Sequence, residues 1–233
     1  MQNGVNRTID VIIPAHNEEK SIGKVLKDIP LQIVRQVIVV CNCCTDQTAR
    51  VAQENGAIVL EENRKGYGWA CLTGMDYLKS DPPEIVVFLD GDYSDYPEEI
   101  PKVIEPILKR NVKLVIGSRV LGKREKGSLT PQQVFGNWLA TKLIKIFYGA
   151  KFTDLGPFRA MNYESLISLG MADKTYGWTI EMQIKTVKKK YKFEEVAVNY
   201  KRRIGVSKVS GTIKGTILAG IKIIFAVFKY RFN

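Results

Sequence analysis

The chain has 233 residues, of which 45% are hydrophobic and 25% charged, a composition typical of globular proteins that excludes intrinsic disorder. A chain of this length buries one large core, so we expect a single α/β domain. The net charge of +11 predicts a surface that attracts anions, which include nucleic acid, an anionic membrane and a diphosphate substrate.

Short apolar runs rich in Val and Ile alternate with helical patterns in the first half of the chain. The runs predict strands at residues 9–13, 36–40, 57–60, 85–89 and 112–116. Apolar residues at helical spacing predict helices between them, at 21–29, 46–55 and 67–79. This alternation is typical of a Rossmann-like parallel sheet flanked by helices, which binds ligands at the carboxyl ends of its strands.

The second half departs from this alternation. Its pattern predicts a long helix at 131–148, a short stretch at 154–160, then a helix, a strand at 194–200 and a final amphipathic helix at 213–232. The final helix carries lysines among its apolar residues, which argues against a membrane span. It either lies on a membrane surface or packs on the core. We therefore divide the chain into a domain at 1–208 and a terminal helix at 209–233.

A buried strand ends in two carboxylates, Asp90 and Asp92, separated by Gly91. Alternate side chains of an extended segment point the same way, so both carboxylates can face one hard cation. Mg²⁺ or Mn²⁺ would fit there and bridge to a diphosphate, because magnesium typically takes one or two protein carboxylates plus phosphate oxygens. An EF-hand is excluded because Asp95 stands where that calcium loop needs glycine. The competing interpretation of the pair alone is a solvated acidic turn.

The first two strands also end in polar segments of a specific kind. The first ends in P-A-H-N-E at 14–18, and the second ends in C-N-C-C-T-D at 41–46. Together with the D-x-D pair, these segments resemble the family 2 glycosyltransferases, which have a GT-A fold. The resemblance implies that the chain is a metal-dependent enzyme that uses a nucleotide-sugar donor.

The resemblance also implies roles for residues at these strand ends. Pro14, His16 and Glu18 would flank the nucleotide, and Asn42 would lie near its base. Cys41 and Asn42 replace an acidic pair that is common in the family. An Asn side chain still accepts a hydrogen bond from a base N–H through its carbonyl oxygen.

Three further segments follow the family's pattern in the same order. The basic turn N-R-K-G-Y-G-W-A contains Lys65, the candidate for a donor contact, and G-S-R ends in Arg119. The segment D-L-G-P-F-R-A begins with Asp154 and contains Arg159, although its Gly and Phe occur in an altered order. It resembles an acceptor-side element, so we expect Arg119 and Arg159 to contact substrate. A buried turn-forming role for Asp154 is the alternative.

The segment from Arg203 to Lys208 reads R-I-G-V-S-K. It is similar to the R-x-G-x-S-K element of polyprenyl-phosphate sugar synthases, in which the arginine and lysine bind phosphates. The bidentate guanidinium and the point charge of an ammonium suit that role. A basic surface loop is the competing interpretation.

These resemblances imply an inverting hexosyltransferase that moves a sugar from a UDP- or GDP-sugar to a polyprenyl phosphate, with Asp92, Asp154 and Arg203 in catalysis. An ionised lipid phosphate needs no general base. A soluble hydroxyl acceptor needs a carboxylate, for which Asp154 and Glu181 are the candidates. A soluble acceptor is therefore the alternative reaction.

Other protein classes fit the sequence less well. A nucleotidyltransferase needs G-x-G-x-R after the first strand, which is absent, and a non-catalytic nucleotide-sugar binding protein would not need both Asp90 and Asp92. We do not expect nucleic acid as a partner. The N-terminus lacks the pattern of a signal peptide, so we expect a cytoplasmic protein that sits peripherally on the inner membrane face and contacts anionic lipid there.

Overall fold

The sheet of this protein has seven strands in the computed structural model, which describes residues 7–205 and 224–231. The strands are β1 (Ile9–Ala15), β2 (Gln36–Asn42), β3 (Ile58–Glu62), β4 (Ile85–Phe88), β5 (Leu114–Ser118), β6 (Arg159–Asn162) and β7 (Phe193–Ala197). Their spatial order is β3-β2-β1-β4-β6-β5-β7. β6 runs antiparallel to β4 and β5, and the other pairs are parallel.

Helices cover both faces of the sheet. They are α1 (Ile22–Asp28), α2 (Thr48–Glu54), α3 (Tyr67–Tyr77), α4 (Ile100–Arg110), α5 (Pro131–Tyr148), α6 (Tyr163–Ser168), α7 (Trp178–Lys188) and α8 (224–231). Short 3-10 helices lie at Leu78–Ser80 and Pro97–Glu99. The Rossmann-like, mostly parallel architecture predicted from the alternation is confirmed.

Two apolar cores lie on opposite faces of the sheet, because successive side chains of a strand point to opposite sides. Ile12 of β1 packs into one core and Ile13 into the other. Every residue of β1 is buried, as expected for a central strand of a parallel sheet with both faces covered. The strand is therefore apolar on both faces except at Asp10, whose buried carboxylate accepts hydrogen bonds from Arg35 and Gln36.

The long helix α5 begins and ends at the predicted residues. Thr130 caps its first turn by accepting from the Gln133 amide in a capping box, and Gly149 ends it with a φ of 72°. α4 was not predicted. Pro101 and Pro106 lie within it, and proline disfavours a helix interior, so the local signal is weak.

β6 is the feature of the sheet that the alternation did not predict. It is inserted antiparallel between β4 and β5, with Arg159 opposite Phe88 and Ile116. The turn that precedes Arg159 therefore lies at the carboxyl ends of β4 and β5. This strand direction is what brings the 154–158 segment to the same edge of the sheet as Asp90 and Asp92.

α8 packs on the domain. Its Ala226, Val227 and Tyr230 are buried, and the Phe228 ring lies 5.0 Å from the Phe147 ring of α5. Residues 224–231 therefore pack on the core, which is one of the two interpretations of the final helix. The rest of the predicted helix, and the division at 208/209, lie outside the described residues.

Candidate active site

Three carboxylates follow β4 at the carboxyl edge of the sheet. The buried Asp92 accepts hydrogen bonds from the Ser94 amide and hydroxyl, which fix its orientation. One oxygen of Asp90 and both oxygens of Asp95 are buried without a hydrogen-bond partner among the described residues. Burial and, next, the charge of Asp92 raise the pKa of Asp90 to about 7. A buried carboxylate oxygen without a partner lowers the stability of the fold unless a cation or a water molecule binds it.

The residues present fit a divalent cation whose remaining coordination positions are filled by substrate oxygens. Within 7–205 and 224–231, no group of three or more His, Cys, Asp and Glu side chains is arranged to hold a metal ion by itself. Mg²⁺ needs only one or two carboxylates when substrate phosphates supply further oxygens. Asp90 has one unpartnered oxygen and lies two positions before Asp92. The two carboxylates could therefore supply the protein ligands of such a cation.

Asp95 is the site residue that the sequence analysis missed. Its side chain is buried, and burial followed by the charges of Asp90 and Asp92 raises its pKa well above the ordinary range. The sequence analysis used Asp95 only to exclude an EF-hand. A third acidic residue so soon after a D-x-D pair was the signal that could have identified it.

Arg203 reaches the carboxylates from a distant part of the chain. Its guanidinium lies 3.2 Å from Asp92 and 3.3 Å from Glu18, and its Nε is buried without a partner among the described residues. The Ile204 amide donates to the Asp92 carbonyl oxygen at 2.9 Å, which holds the loop across the end of β4. Three predicted site residues from three separate segments thus meet at one point.

Arg119 and Asp154 form a buried ion pair. The Arg119 guanidinium donates to both Asp154 oxygens at 2.7 and 2.8 Å, and the Arg119 amide donates to one of them at 2.8 Å. Asp154 is fully buried, so its carboxylate is occupied by Arg119. The buried turn-forming alternative describes this geometry, and a general-base role for Asp154 stays a prediction.

Asn42 ties the end of β2 to the turn after β3. Its amide group donates to the carbonyl oxygens of Glu62 and Arg64 at 3.2 and 2.8 Å, and its side-chain oxygen accepts from the Gly66 amide at 2.8 Å. His16 donates through Nδ1 to the Asn42 carbonyl oxygen at 2.6 Å. Asn42 therefore shapes the predicted base-binding region, and its predicted contact with the base would compete with these bonds.

Pro14 and Lys65 flank the same region. Pro14 pairs with Val40 near the end of β1, and Lys65 is exposed in the turn that Asn42 holds. Both positions are compatible with the predicted donor contacts. Those contacts stay predictions.

Arg159 and Glu181 lie inside the protein. Arg159 donates to the carbonyl oxygens of Leu155, Gly156 and Thr179, and burial lowers its pKa to about 10. The two Glu181 oxygens accept from backbone amides at 2.9 and 2.7 Å and one also accepts from the Tyr230 hydroxyl at 2.6 Å. The structure gives both residues internal partners, and their predicted substrate contacts stay predictions. Lys208 lies outside the described residues.

Among the described parts of the chain, each helix is too short or too polar to cross a bilayer.

Comparisons with known proteins identify the family. The model of glycosyl transferase family 2 matches residues 10–170, more than half of the chain. An uncharacterized glycosyltransferase of Mycobacterium tuberculosis is 33% identical over 214 residues, which cover 91% of this chain and 94% of the relative. A dolichyl-phosphate hexose transferase of Haloferax volcanii is 30% identical over 203 residues, 85% of each chain.

Among solved structures, glucosyl-3-phosphoglycerate synthase from M. tuberculosis is similar to this chain with a TM-score of 0.77 and 25% identity. The match covers 97% of this chain and 78% of the synthase, which was crystallised with Mn²⁺, UDP and phosphoglyceric acid. The chain therefore belongs to glycosyl transferase family 2 and is a glycosyltransferase with the GT-A fold.

Proposed function

We propose that this protein transfers a sugar, with inversion, from a nucleoside-diphosphate sugar to a polyprenyl phosphate. Asp90 and Asp92 would hold a Mg²⁺ or Mn²⁺ ion, and the strand-end residues Pro14, His16 and Glu18 would flank the nucleotide. A bound divalent cation would neutralise charge on the departing diphosphate. The dolichyl-phosphate hexose transferase among the relatives supports this choice of acceptor class.

The position of Arg203 carries the proposal. A guanidinium 3.2 Å from Asp92 places a permanent positive charge beside the residues that would hold the metal. The Arg203 side chain is 28% exposed, so an incoming anion can reach part of the guanidinium. Arginine binds phosphate through parallel hydrogen bonds from its planar fork, so Arg203 is suited to orient an acceptor phosphate or the donor diphosphate.

The carboxylates that could serve as a base support the same acceptor class. Asp154 is paired with Arg119, and Glu181 is bonded to backbone amides and to Tyr230. A polyprenyl phosphate is ionised near neutral pH and loses no proton on attack. The engaged state of both carboxylates is therefore no obstacle to this reaction.

The transfer needs neither a general acid nor a general base. A phosphate oxygen of the acceptor attacks the anomeric carbon and forms a C–O bond, while the bond from that carbon to the donor diphosphate breaks. The electron pair leaves with the diphosphate, whose charge Arg203 and Lys208 would stabilise. Attack from the face opposite the leaving group inverts the anomeric centre.

A soluble hydroxyl acceptor is the second candidate. The observation that favours it is the similarity to glucosyl-3-phosphoglycerate synthase over 97% of this chain. The base for that reaction would be Asp154 or Glu181, the two carboxylates that the sequence offers for this role. This reaction would place a proton on the enzyme in each turnover.

A product assay separates the two acceptors. The full chain is incubated with Mg²⁺ or Mn²⁺, radiolabelled UDP- and GDP-sugars in turn, and either a polyprenyl phosphate or phosphoglyceric acid. We expect label to enter the organic phase with the lipid acceptor. Label found with phosphoglyceric acid alone would overturn the lipid proposal in favour of the soluble acceptor.

A further inference from the structure

The outer face of α5 exposes large apolar side chains. Phe135, Trp138 and Ile146 are 61%, 53% and 69% exposed, and their spacing along the chain places them on one side of a helix. The opposite side carries the buried Ala140, Thr141 and Ile144. α5 is therefore apolar on its outer side as well as on the side that packs on the domain.

α8, which packs against Phe147 of α5, exposes aromatic side chains as well. Phe225 is 63% exposed and Phe228 is 41% exposed, and the contact of Phe228 with Phe147 joins α8 to α5. We refer to the exposed side chains of Phe135, Trp138, Ile146, Phe225 and Phe228 as the α5–α8 face. Exposed apolar side chains scattered singly need no explanation, whereas several on one side of a helix, with more on a helix packed against it, indicate a binding surface.

The charge of the two helices is of one sign. α5 contains Lys142 and Lys145, α8 contains Lys229 and Arg231, and neither helix contains Asp or Glu. Lys142 and Lys145 are exposed on the same side of α5 as Trp138 and Ile146. Aromatic side chains next to lysines without acidic neighbours match the interface of an anionic bilayer, where the rings enter the headgroup region and the ammonium groups meet lipid phosphates.

We propose that the α5–α8 face docks this protein onto an anionic membrane. The occupant is an anionic lipid surface, because the exposed aromatic side chains of α5 lie among lysines and neither helix carries an acidic residue. The two helices lie on the surface rather than cross it, since none of the described helices can span a bilayer.

The same helix connects this face to the active site. Asn137 of α5 donates to the Thr153 carbonyl oxygen at 2.9 Å and accepts from the Leu155 amide at 2.8 Å. These bonds hold the turn that carries Asp154, and Asp154 holds Arg119. Docking through α5 would therefore place the membrane on the acceptor side of the site.

Vesicle flotation of the full chain tests the docking without donor or acceptor. The docking itself does not depend on the proposed function, whereas a role for docking in sugar transfer rests on it. Flotation and transfer are therefore measured separately. We expect the protein to float with vesicles of phosphatidylglycerol and phosphatidylcholine. The pair Phe135→Ser and Trp138→Ser should lower the vesicle affinity about tenfold or more. A matched pair, Leu31→Ser and Tyr77→Ser, removes exposed apolar side chains elsewhere and should float like the unmodified chain.

The lysines supply a second readout. Lys142→Glu with Lys145→Glu should lower affinity for anionic vesicles by more than about fivefold per lysine, since the introduced glutamates also repel the surface. Added salt should weaken binding of the unmodified chain and have less effect on this variant. Neutral phosphatidylcholine vesicles should bind all forms weakly.

Fluorescence quenching locates the contact. Trp138 is more exposed than the buried Trp178, so lipids brominated near the headgroup should quench it. Trp138→Phe should float normally but lose the added quenching.

Two results would overturn the proposal: equal flotation of the serine pair and its control, or unchanged quenching in Trp138→Phe. If the chain instead forms a dimer that the serine pair disrupts, and does not float, the face binds a second copy. Flotation together with absence of lipid glycosylation would leave the docking intact and refute the proposed acceptor.

Discussion

Asp92 has one carboxylate oxygen held by Ser94 and the other 3.2 Å from Arg203. We expect Asp92→Asn to lower sugar transfer by about 100-fold or more, because an amide removes the charge that would hold the cation. The side chain keeps its size, so circular dichroism should show an unchanged fold. Asp76→Asn, at an exposed position of α3, is the control. Near-normal transfer by Asp92→Asn in buffer with Mn²⁺ would contradict the metal assignment.

Arg203 allows a sharper test of phosphate binding. Removal of the guanidinium by Arg203→Ala should cost about 1.5–3 kcal/mol of binding, the usual contribution of a charge-assisted hydrogen bond. The acceptor KM or the donor Kd should rise about 10–100-fold. Arg202→Ala is the matched control, since Arg202 donates to the Lys126 carbonyl oxygen instead. If neither constant changes in Arg203→Ala, the role of Arg203 is wrong.

At this scale the sequence named residues of separate segments that the fold brings together, and their roles at the site stay predictions. Glu18, Asp92 and Arg203 were named from separate segments and meet within 3.3 Å. Arg159 and Glu181 were named with the same reasoning but bind the protein's own backbone. Residue type and order along the chain do not show which arginine lies beside carboxylates and which one bonds to backbone carbonyl groups.

At the scale of elements, the turn after β3 depends on Glu62. Arg64 donates two side-chain hydrogen bonds to Glu62, which, together with weaker contributions, lower the pKa of Glu62 from 4.5 to about 2. A folded-state pKa below the unfolded value stabilises the protein above about pH 4.5, and this contribution is lost as pH falls toward 2.

We therefore expect Glu62→Gln to reduce the free energy of unfolding at pH 7 by about 1–2 kcal/mol, a value that allows for solvent screening of the exposed Arg64. The difference from the unmodified protein should shrink as pH falls from 5 to 2. Urea unfolding across this range measures it, with the exposed Glu61→Gln as control. A difference that does not depend on pH would show that the charge of Glu62 is not the cause.

The packing of α3 on β1 is tested by a pair of glycines. A Cβ at Gly74 would lie 2.8 Å from the Ile12 side chain, whereas one at Gly136 of α5 would meet no atom within 4 Å. Gly74→Ala should destabilise the protein by about 1–3 kcal/mol through overpacking. Gly136→Ala should stabilise it by about 0.5–1 kcal/mol, because alanine loses less backbone entropy in a helix. Equal shifts in Tm for the two variants would contradict this account.

At the scale of the whole molecule, α8 is hydrogen-bonded to the buried interior of the domain. The Tyr230 hydroxyl of α8 donates to the fully buried Glu181 at 2.6 Å. Tyr230→Phe should cost about 1.5–3 kcal/mol, since the acceptor is a charged group, and thermal unfolding measures it. Tyr176→Phe, at an exposed position, should leave Tm unchanged. An unchanged Tm in Tyr230→Phe would mean that the hydrogen bond from Tyr230 to Glu181 contributes little to the stability of the domain.

The sequence by itself determined the parallel sheet, the ends of α5, and the D-x-D pair after a buried strand. These depend on local periodicity, capping and strand-end chemistry, which short segments express. Tertiary structure alone decided three further features: β6 lies antiparallel between β4 and β5, Asp154 pairs with Arg119, and Asp95 is buried beside Asp90 and Asp92. Each of these depends on contacts between residues far apart in the chain or on burial, neither of which a local pattern records.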